Sequence, residues 1–199
     1  VIGTGGAAHG HARSFQKFHG VRLVAACDID RPKAVAFAKK FGIPEVYDDP
    51  AELLRRADCD AVTIVTSDAA HAPVALAAAA AGKHILCEKP LALNYHEAAR
   101  MTAAVARHRV INMVNFSYRN SSAIQRAHTL VAKGVIGRPL HFEASYLQSW
   151  LSSTVWGDWR KNPAFLWRLS TRHGSGGVLG DVGVHILDFA GYPVGDYRR

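Results

Sequence analysis

Short apolar runs alternate with amphipathic segments along the first half of the chain. After a stub at Val1 and Ile2, the apolar runs are VRLVAACD (21–28), AVTIVT (61–66), HILCE (84–88) and VINMVNF (110–116). Buried strands of parallel sheets have this near-continuous apolar character. Segments with helical periodicity separate the runs, so the pattern predicts right-handed crossovers and a doubly wound parallel sheet of the α/β class over residues 1–115.

Helix ends in this half carry recognisable capping residues. Asp30 precedes the segment RPKAVAFAKKFG and Gly42 ends it, which is typical of a helix. Asn94 and Glu97 form a capping-box pattern before a further helix. The alanine-rich segment at 72–81 predicts a helix whose small side chains let it lie close to the sheet.

The pattern changes after residue 115. Residues 121–134 predict one more amphipathic helix, and residues 139–150 alternate with period two, which predicts a strand. A tryptophan-rich, loop-like segment follows, and then a glycine-flanked helix at 176–191. Because one strand cannot form a stable sheet alone, we expect residues 116–199 to be the beginning of an α+β domain with an unfinished sheet.

Composition narrows the class of protein. A hydrophobic content of 49% with 20% charged residues indicates an ordinary globular chain. The net charge of +8 is spread along amphipathic segments, which favours a small anionic ligand over nucleic acid.

No apolar run is long enough to span a membrane. Cys27, Cys59 and Cys87 form no CxxC pair, and the histidines lack metal-ligand spacing, so we expect reduced thiols, a cytoplasmic location and no metal site.

The segment GTGGAAHGH follows the first strand stub and opens a helix. Gly3-x-Gly5-x-x-Ala8 is a dinucleotide-loop pattern, in which glycines let pyrophosphate approach the backbone at a helix N-terminus. Asp28, at the end of the next apolar run, is placed to accept hydrogen bonds from ribose hydroxyls and to repel a 2′-phosphate. NAD is therefore favoured over NADP, although the nearby Arg31 weakens the point. The alternative is that Asp28 only begins a turn.

Two further segments follow predicted strands. In TSDAAHAP (66–73), Asp68 is expected to cap a helix and also to approach the cofactor, while His71 either contacts the cofactor or only packs on the helix. In KHILCEKPLAL (83–93), Glu88 and Lys89 end a buried strand, and Pro90 keeps Lys89 out of helical geometry. The alternative for the second segment is a surface turn.

The segment GSGGVLGDVGVHILD (174–188) combines glycines with titratable residues. If it is helical, Asp181 and His185 share one face and Asp188 lies a turn further on. The alternative to a functional pair is that Asp181 only caps a helix and His185 is a half-buried histidine whose hydrogen bonds are satisfied. Upstream, Trp150, Trp156, Trp159 and Trp167 lie close together in sequence. They are candidates for stacking on sugar rings, or else they pack at a subunit interface or domain junction.

Together these blocks resemble the Gfo/Idh/MocA family of nicotinamide-dependent oxidoreductases, whose best-known members act on sugars and inositols. The matching positions are Gly3, Gly5, Ala8, His11, Asp28, the segment HILCEKPLAL, Trp167, Arg168, Gly177, Gly180, Asp181, Gly183, His185 and Asp188. The resemblance implies a Rossmann domain followed by an α/β domain whose open sheet holds substrate on one side and often forms dimers or tetramers on the other.

The resemblance also implies residue roles. His185 would take the hydroxyl proton, Asp181 would orient it and Lys89 would stabilise the alkoxide. The predicted cofactor-binding residues are Gly3, Gly5, Gly6, Ala7, Ala8, Asp28, Arg31, Thr66, Asp68, His71, Glu88 and Lys89, and the predicted substrate residues are Arg119, Gln148, Trp150 and Arg168.

The leading expectation is an NAD-dependent dehydrogenase of a sugar or polyol that forms a homodimer or homotetramer through the C-terminal sheet. An NAD-dependent glycoside hydrolase and a non-catalytic NAD-binding regulator are the alternatives. Two departures from the family pattern stand out. Ser67-Asp68 replaces the usual proline-asparagine, and family members are much longer than 199 residues, so we expect a fragment.

Overall fold

The computed structural model describes residues 1–155, 157–162, 166–170, 172 and 175–195. The chain divides into two compact units, Val1–Asn115 and a second unit that begins at Phe116. The strands of the first unit are β1 (Ala25–Cys27), β2 (Glu45–Tyr47), β3 (Ala61–Ile64), β4 (His84–Cys87) and β5 (Asn112–Val114). Its helices are α1 (Gly6–Phe15), α2 (Arg31–Phe41), α3 (Pro50–Arg56), α4 (Asp68–Ala80) and α5 (Tyr95–His108). The second unit contains α6 (Ser122–Ala132), a π-helical turn at Leu179–Gly183 and α7 (Val184–Val194).

The strands of the first unit pair in parallel in the order β2-β1-Ile2-β3-β4-β5. Ile2 joins the two halves of the sheet because it pairs with Cys27 of β1 and with Ile64 of β3. On the β1 side Cys27 N–H donates to Val1 O at 2.8 Å, and on the β3 side Ile2 N–H donates to Thr63 O at 2.9 Å. The chain runs outward in opposite directions from this central position, which confirms the predicted doubly wound α/β sheet. Such sheets bind ligands outside the carboxyl ends of their strands, at the point where the order reverses.

The caps predicted for α2 and α5 are confirmed in the first unit. Asp30 accepts the backbone N–H of Lys33 at 3.2 Å, and Gly42 ends α2 with a φ of 66°. Asn94 accepts the N–H of Glu97 at 3.0 Å, and the Glu97 carboxylate accepts the N–H of Leu93 at 3.2 Å. These contacts satisfy backbone donors that the first helical turn leaves without partners.

The core of the first unit lies between the sheet and its covering helices. Small side chains on α4, including Ala75 and Ala78, allow this helix to approach β3 and β4 closely. Leu53 and Ile64 are almost completely buried in the same cluster. Each such side chain stabilises the fold by about 1.5–3 kcal/mol relative to an exposed one.

All three cysteines are free thiols, as the sequence predicted. Cys27 and Cys87 are buried beneath helices, whereas Cys59 is half-buried. Burial raises the pKa of Cys27 and of Cys87 to about 12. Because the thiolate is the reactive form of cysteine, these two side chains act as small core residues.

The second unit is organised around α6 and α7, which pack against each other. Arg119 forms a bidentate ion pair with Asp188 of α7, with the shortest contact at 2.6 Å, and its guanidinium lies 4.9 Å from the centre of the Tyr192 ring. His128 of α6 stacks on the same ring, with 4.5 Å between ring centres. These contacts join α6, α7 and the turn at Ser117–Asn120.

Three details of the sequence analysis are corrected. The strand predicted at 139–150 is wrong, because residues 139–148 pair with no described strand, and an extended segment without a neighbour gains no ladder hydrogen bonds. Asp68 is the first residue of α4, and Ser67 occupies the cap position. Strand β2 was missed because three half-buried residues give almost no periodic signal.

Within the part of the chain that the structure describes, no helix has the length and apolar character needed to cross a lipid bilayer.

Candidate functional site

The glycine loop between Ile2 and α1 contains two kinds of glycine. Gly3 has a φ of 88°, and a Cβ added there would lie 2.4 Å from the carbonyl oxygen of Val65, so its hydrogen is needed for strand packing. Gly5 and Gly6 are exposed, and a Cβ on either would have no described atom within 4 Å. Gly5 is the N-cap of α1 and has no side chain to cover the helix terminus. The loop therefore leaves the positive end of α1 open to an anionic group, as a pyrophosphate site requires.

The remaining loop residues are divided between the surface and the core. Ala7 is exposed in the first turn of α1, whereas Ala8 is fully buried against the core. Because Ala8 has a small side chain, α1 can approach the sheet closely. This is the role of the third small residue in a dinucleotide loop.

Asp28 joins the glycine loop to the end of β1. Its Oδ2 accepts the backbone N–H and the hydroxyl of Thr4, both at 2.8 Å, and its Oδ1 accepts the N–H of Asp30 at 3.0 Å. Asp28 therefore does begin a turn, and its carboxylate still has lone pairs for a ribose hydroxyl. Arg31 is directed toward Asp48 in an exposed ion pair at 3.4 Å.

The start of α4 lies beside the lysine segment. Asp68 and His71 are both buried, and His71 Nδ1 lies 2.7 Å from Pro90 O. A carbonyl only accepts hydrogen bonds, so Nδ1 carries a proton, and Nε2 has no partner among the described residues. Thr66 is half-buried, and its hydroxyl donates to the carbonyl of Ser67 at 3.3 Å. Cofactor contact by these residues stays a prediction.

A compact polar cluster surrounds Glu88 at the carboxyl end of β4. Its Oε1 lies 2.7 Å from His11 Nε2 and accepts the side-chain N–H of Asn115 at 2.7 Å. Its Oε2 accepts the backbone N–H of Lys89 at 3.1 Å. Burial raises the pKa of Glu88, but hydrogen bonds from His11 and Asn115 outweigh burial and place the pKa below its ordinary value. Glu88 is therefore an ionised, nearly enclosed carboxylate next to the candidate catalytic lysine.

Sequence reasoning missed His11 and Asn115 as site residues. His11 did appear in the loop pattern, three residues after the buried Ala8 and so on the sheet-facing side of α1. That spacing could have identified it. Asn115 directly follows the last strand of the sheet, where a side chain can reach the same edge as Glu88.

In the second unit, the π-helical turn and the start of α7 carry the other two candidate catalytic residues. Asp181 lies in the turn, and its carboxylate accepts a hydrogen bond from Arg168 at 3.2 Å. His185 is buried near the start of α7, with its ring 4.5 Å from the Tyr118 ring in an edge-to-face arrangement. Such π-helical turns within helices are frequent at functional sites.

Two tyrosines that the sequence analysis did not single out as site residues line the surroundings of His185. The hydroxyl groups of Tyr118 and Tyr146 are 2.5 Å apart, and this hydrogen bond raises the pKa of Tyr118 to about 12. The Tyr118 phenol is therefore neutral over the whole physiological pH range. Aromatic rings in this arrangement fix the orientation of an imidazole through edge-to-face contacts.

The predicted substrate residues are already engaged within the second unit. Arg119 is paired with Asp188 and Arg168 with Asp181, as described above. Gln148 accepts the indole N–H of Trp150 at 2.7 Å, and the Trp150 and Trp159 rings contact edge to face. Trp156 and the side chain of Trp167 lie outside the described residues. Substrate contact by these residues stays a prediction.

A cavity of about 490 Å³ opens at the opposite, amino-terminal edge of the sheet. Its lining includes Val24, Asp60, His84 and Asn112, and none of the predicted site residues. The candidate site is thus defined by hydrogen-bond geometry at the carboxyl edge. Within the described ranges, no three His, Cys, Asp or Glu side chains are grouped as metal ligands would be.

Comparison with known proteins agrees with this geometry. The profile of a family described as "Oxidoreductase family, NAD-binding Rossmann fold" matches residues 1–116, and that of the "GFO/IDH/MocA C-terminal domain" matches residues 124–199. Levoglucosan dehydrogenase of Pseudarthrobacter phenanthrenivorans is 37% identical over 164 residues, which are 82% of this chain and 40% of the relative. D-apiose dehydrogenase of Paraburkholderia graminis is 31% identical over 199 residues, which are 100% of this chain and 50% of the relative.

A solved structure of levoglucosan dehydrogenase in complex with NADH and levoglucosan superimposes with a TM-score of 0.85 at 33% identity. The match covers 98% of this chain and 53% of that one. The chain spans about half the length of the curated relatives it matches. With both of its regions matched by profiles of one family, the chain belongs to the Gfo/Idh/MocA oxidoreductases, and its first unit is their NAD-binding Rossmann domain.

Proposed function

We propose that the full-length protein is an NAD-dependent dehydrogenase that transfers hydride between nicotinamide and a secondary alcohol of a sugar, inositol or related polyol. The observation that supports this most directly is that the open glycine loop, the Asp28 carboxylate and the Lys89 segment share the carboxyl edge of one parallel sheet. The names of relatives, which include levoglucosan and D-apiose dehydrogenases, support the substrate class.

The residues of the first unit suit a dinucleotide. The backbone of Gly5 and Gly6 would receive the pyrophosphate at the start of α1, and Asp28 would accept hydrogen bonds from the adenosine ribose. Thr66, Asp68 and Lys89 follow the strands nearest to the point where the strand order reverses, where the nicotinamide half would bind. When bound, NAD supplies the ring that accepts the hydride.

The chain's own residues would manage the proton and the developing charge. His185 would act as the base that removes the hydroxyl proton, a role that imidazole fills more often than any other side chain in enzymes. Lys89 would donate a hydrogen bond to the alkoxide oxygen as negative charge develops. Asp181 would orient the proton acceptor. We also propose that the protein works as a cytoplasmic homodimer or homotetramer assembled through its C-terminal sheet.

The proposal is tested by following NADH absorbance with the purified full-length protein and a panel of levoglucosan, D-apiose, inositols and glucosides. We expect NADH to form with at least one of these alcohols. Release of an aglycone without net NADH would instead identify an NAD-dependent glycoside hydrolase. Tight NAD binding in calorimetry without turnover of any member would identify a regulator, and either result would overturn the proposal.

Cofactor preference should depend on the charge of Asp28. We expect Asp28→Asn to lower the ratio of kcat/KM for NAD to kcat/KM for NADP by about 10- to 100-fold, because hydrogen bonds to a charged group are worth about 1.5–3 kcal/mol and repulsion of a 2′-phosphate is lost. Initial rates with both cofactors measure this ratio.

Thr4→Val provides the matched control for this prediction. It removes one hydrogen bond to the Asp28 carboxylate but keeps its charge, so it should loosen the loop without changing the cofactor ratio. An unchanged ratio in Asp28→Asn would show that another residue sets the preference.

A further inference from the structure

The cluster around Glu88 connects three parts of the first unit that are far apart in sequence. His11 lies on α1, Asn115 directly follows β5, and Glu88 directly follows β4. His11 also contacts β3, because its Nδ1 lies 3.0 Å from the hydroxyl oxygen of Thr63. The His11 side chain is 9% exposed and that of Glu88 is 17% exposed, so water offers few competing hydrogen bonds.

The distances determine which atoms carry the protons. Glu88 Oε1 only accepts, so His11 Nε2, at 2.7 Å, must donate, since two acceptors at this distance would repel each other. The Asn115 amide nitrogen also donates to Oε1, so its 3.3 Å approach to His11 Nε2 brings two donors side by side. Both donors therefore converge on one carboxylate oxygen, and the other oxygen is left for the N–H of Lys89.

We propose that His11 is a positioning residue that holds the Glu88 carboxylate in the orientation that fixes the backbone of Lys89. This inference rests on the proposed function, because it concerns the lysine that we assign to alkoxide stabilisation. His71 holds the other side of the same segment through Pro90 O. His11 acts through Glu88 and does not itself contact substrate.

The hydrogen bond between His11 and Glu88 has a second consequence, because of where His11 lies in the fold. His11 belongs to the helix whose N-terminus lies at the glycine loop, so one hydrogen bond joins the proposed pyrophosphate site to the lysine segment. Burying an ionised carboxylate such as that of Glu88 is costly, and replacing buried ionic groups by apolar residues of similar volume is often neutral or stabilising. A positioning role therefore accounts for the cluster better than stability does.

Two substitutions of His11 separate the bond to Glu88 from the bond to Thr63. In His11→Gln the side-chain amide can occupy the place of Nε2, and in His11→Asn it can reach only the place of Nδ1. We expect His11→Asn to lower kcat by about 10- to 100-fold, the loss typical when a hydrogen bond that orients a metal ligand is removed, with little change in the Kd for NAD. His11→Gln should retain most of the activity. His19→Asn, at an exposed histidine beyond α1, is the matched control and should behave as the wild type.

A double variant and a measurement that needs no turnover complete the test. On a Glu88→Ala background, His11→Asn should cause no further loss, because the acceptor of the His11 hydrogen bond is already gone. In amide hydrogen exchange, His11→Asn should speed exchange of the Lys89 N–H by about tenfold, the effect of losing about 1.4 kcal/mol of protection. The Val65 N–H, bonded to Ile2 O at 2.8 Å, should keep its rate and so excludes general loosening.

The outcomes distinguish the two proposals. If the wild type oxidises a polyol but His11→Asn and His11→Gln lose equal activity with unchanged Lys89 exchange, the positioning role is wrong and the proposed function stands. If the losses in the double variant multiply, or if weaker NAD binding accounts for the whole loss, the positioning role is also wrong. If the wild type oxidises no polyol while only His11→Asn speeds Lys89 exchange, the proposed function fails and the link from His11 to the lysine backbone stands.

Discussion

Replacing His185 by alanine in the full-length protein should lower kcat by about 10²- to 10⁴-fold, the contribution of a positioned general base. The Kd for NAD should stay unchanged, because His185 lies in the second unit and the dinucleotide residues lie in the first. Steady-state kinetics on a substrate from the polyol panel, with calorimetry for NAD, measures both quantities. His96→Ala, at an exposed histidine of α5, is the control and should leave both unchanged.

Lys89→Ala provides the companion measurement. If Lys89 and His185 act on one alkoxide, each single variant should lose about 10²- to 10⁴-fold, and the double variant should lose little more than the worse single variant, because groups that act as a unit are strongly non-additive. Wild-type turnover in either single variant would show that the assigned roles are wrong. Multiplicative losses would show that the two groups serve separate steps.

Replacing Gly3 by alanine should produce the largest loss of stability. The new methyl group would lie 2.4 Å from Val65 O and 2.8 Å from the backbone nitrogen of Thr66, at a φ of 88° that side chains disfavour. These atoms cannot easily retreat, because Val65 N–H is bonded to Ile2 O and Gly3 N–H to Cys27 O, both at 2.8 Å. We expect the free energy of unfolding to fall by about 3 kcal/mol or more, as measured by urea denaturation followed by circular dichroism.

Gly5→Ala separates packing from binding in the same loop. A Cβ at Gly5 would have no described atom within 4 Å, so we expect a change in unfolding free energy below about 1 kcal/mol. The methyl group would, however, obstruct the approach of a pyrophosphate, so NAD affinity should fall. If Gly3→Ala were as stable as Gly5→Ala, the strand contact at Val65 would not be the reason for the glycine.

The sequence predicted those features of the fold that depend on residues close together in the chain. Asp30 and Asn94 were identified as caps because a side chain and the N–H that it accepts lie within one turn, and both are confirmed. The parallel sheet followed from the repeated order of strand and helix. In contrast, the strand at 139–150 had a clear period of two, but a strand also needs a neighbour, which the local pattern cannot supply.

The polar cluster around Glu88 shows the other limit. Its contacts join residues separated by 77 positions, for His11 and Glu88, and by 104 positions, for His11 and Asn115. No local periodicity encodes such contacts, and they emerge only when strand ends meet at one edge of the sheet. The edge-to-face contact of Tyr118 with His185 is of the same kind.

The unequal burial of the three cysteines has a practical consequence. Cys27 and Cys87 are buried in the hydrophobic core, and the pKa of each thiol is raised. Little thiolate is therefore present at neutral pH to react with alkylating reagents. Cys59, which follows α3 and is only partly covered, is then the natural attachment point for a fluorophore or spin label. Among the three cysteines of these 199 residues, a thiol-directed label at neutral pH should therefore react at Cys59 first.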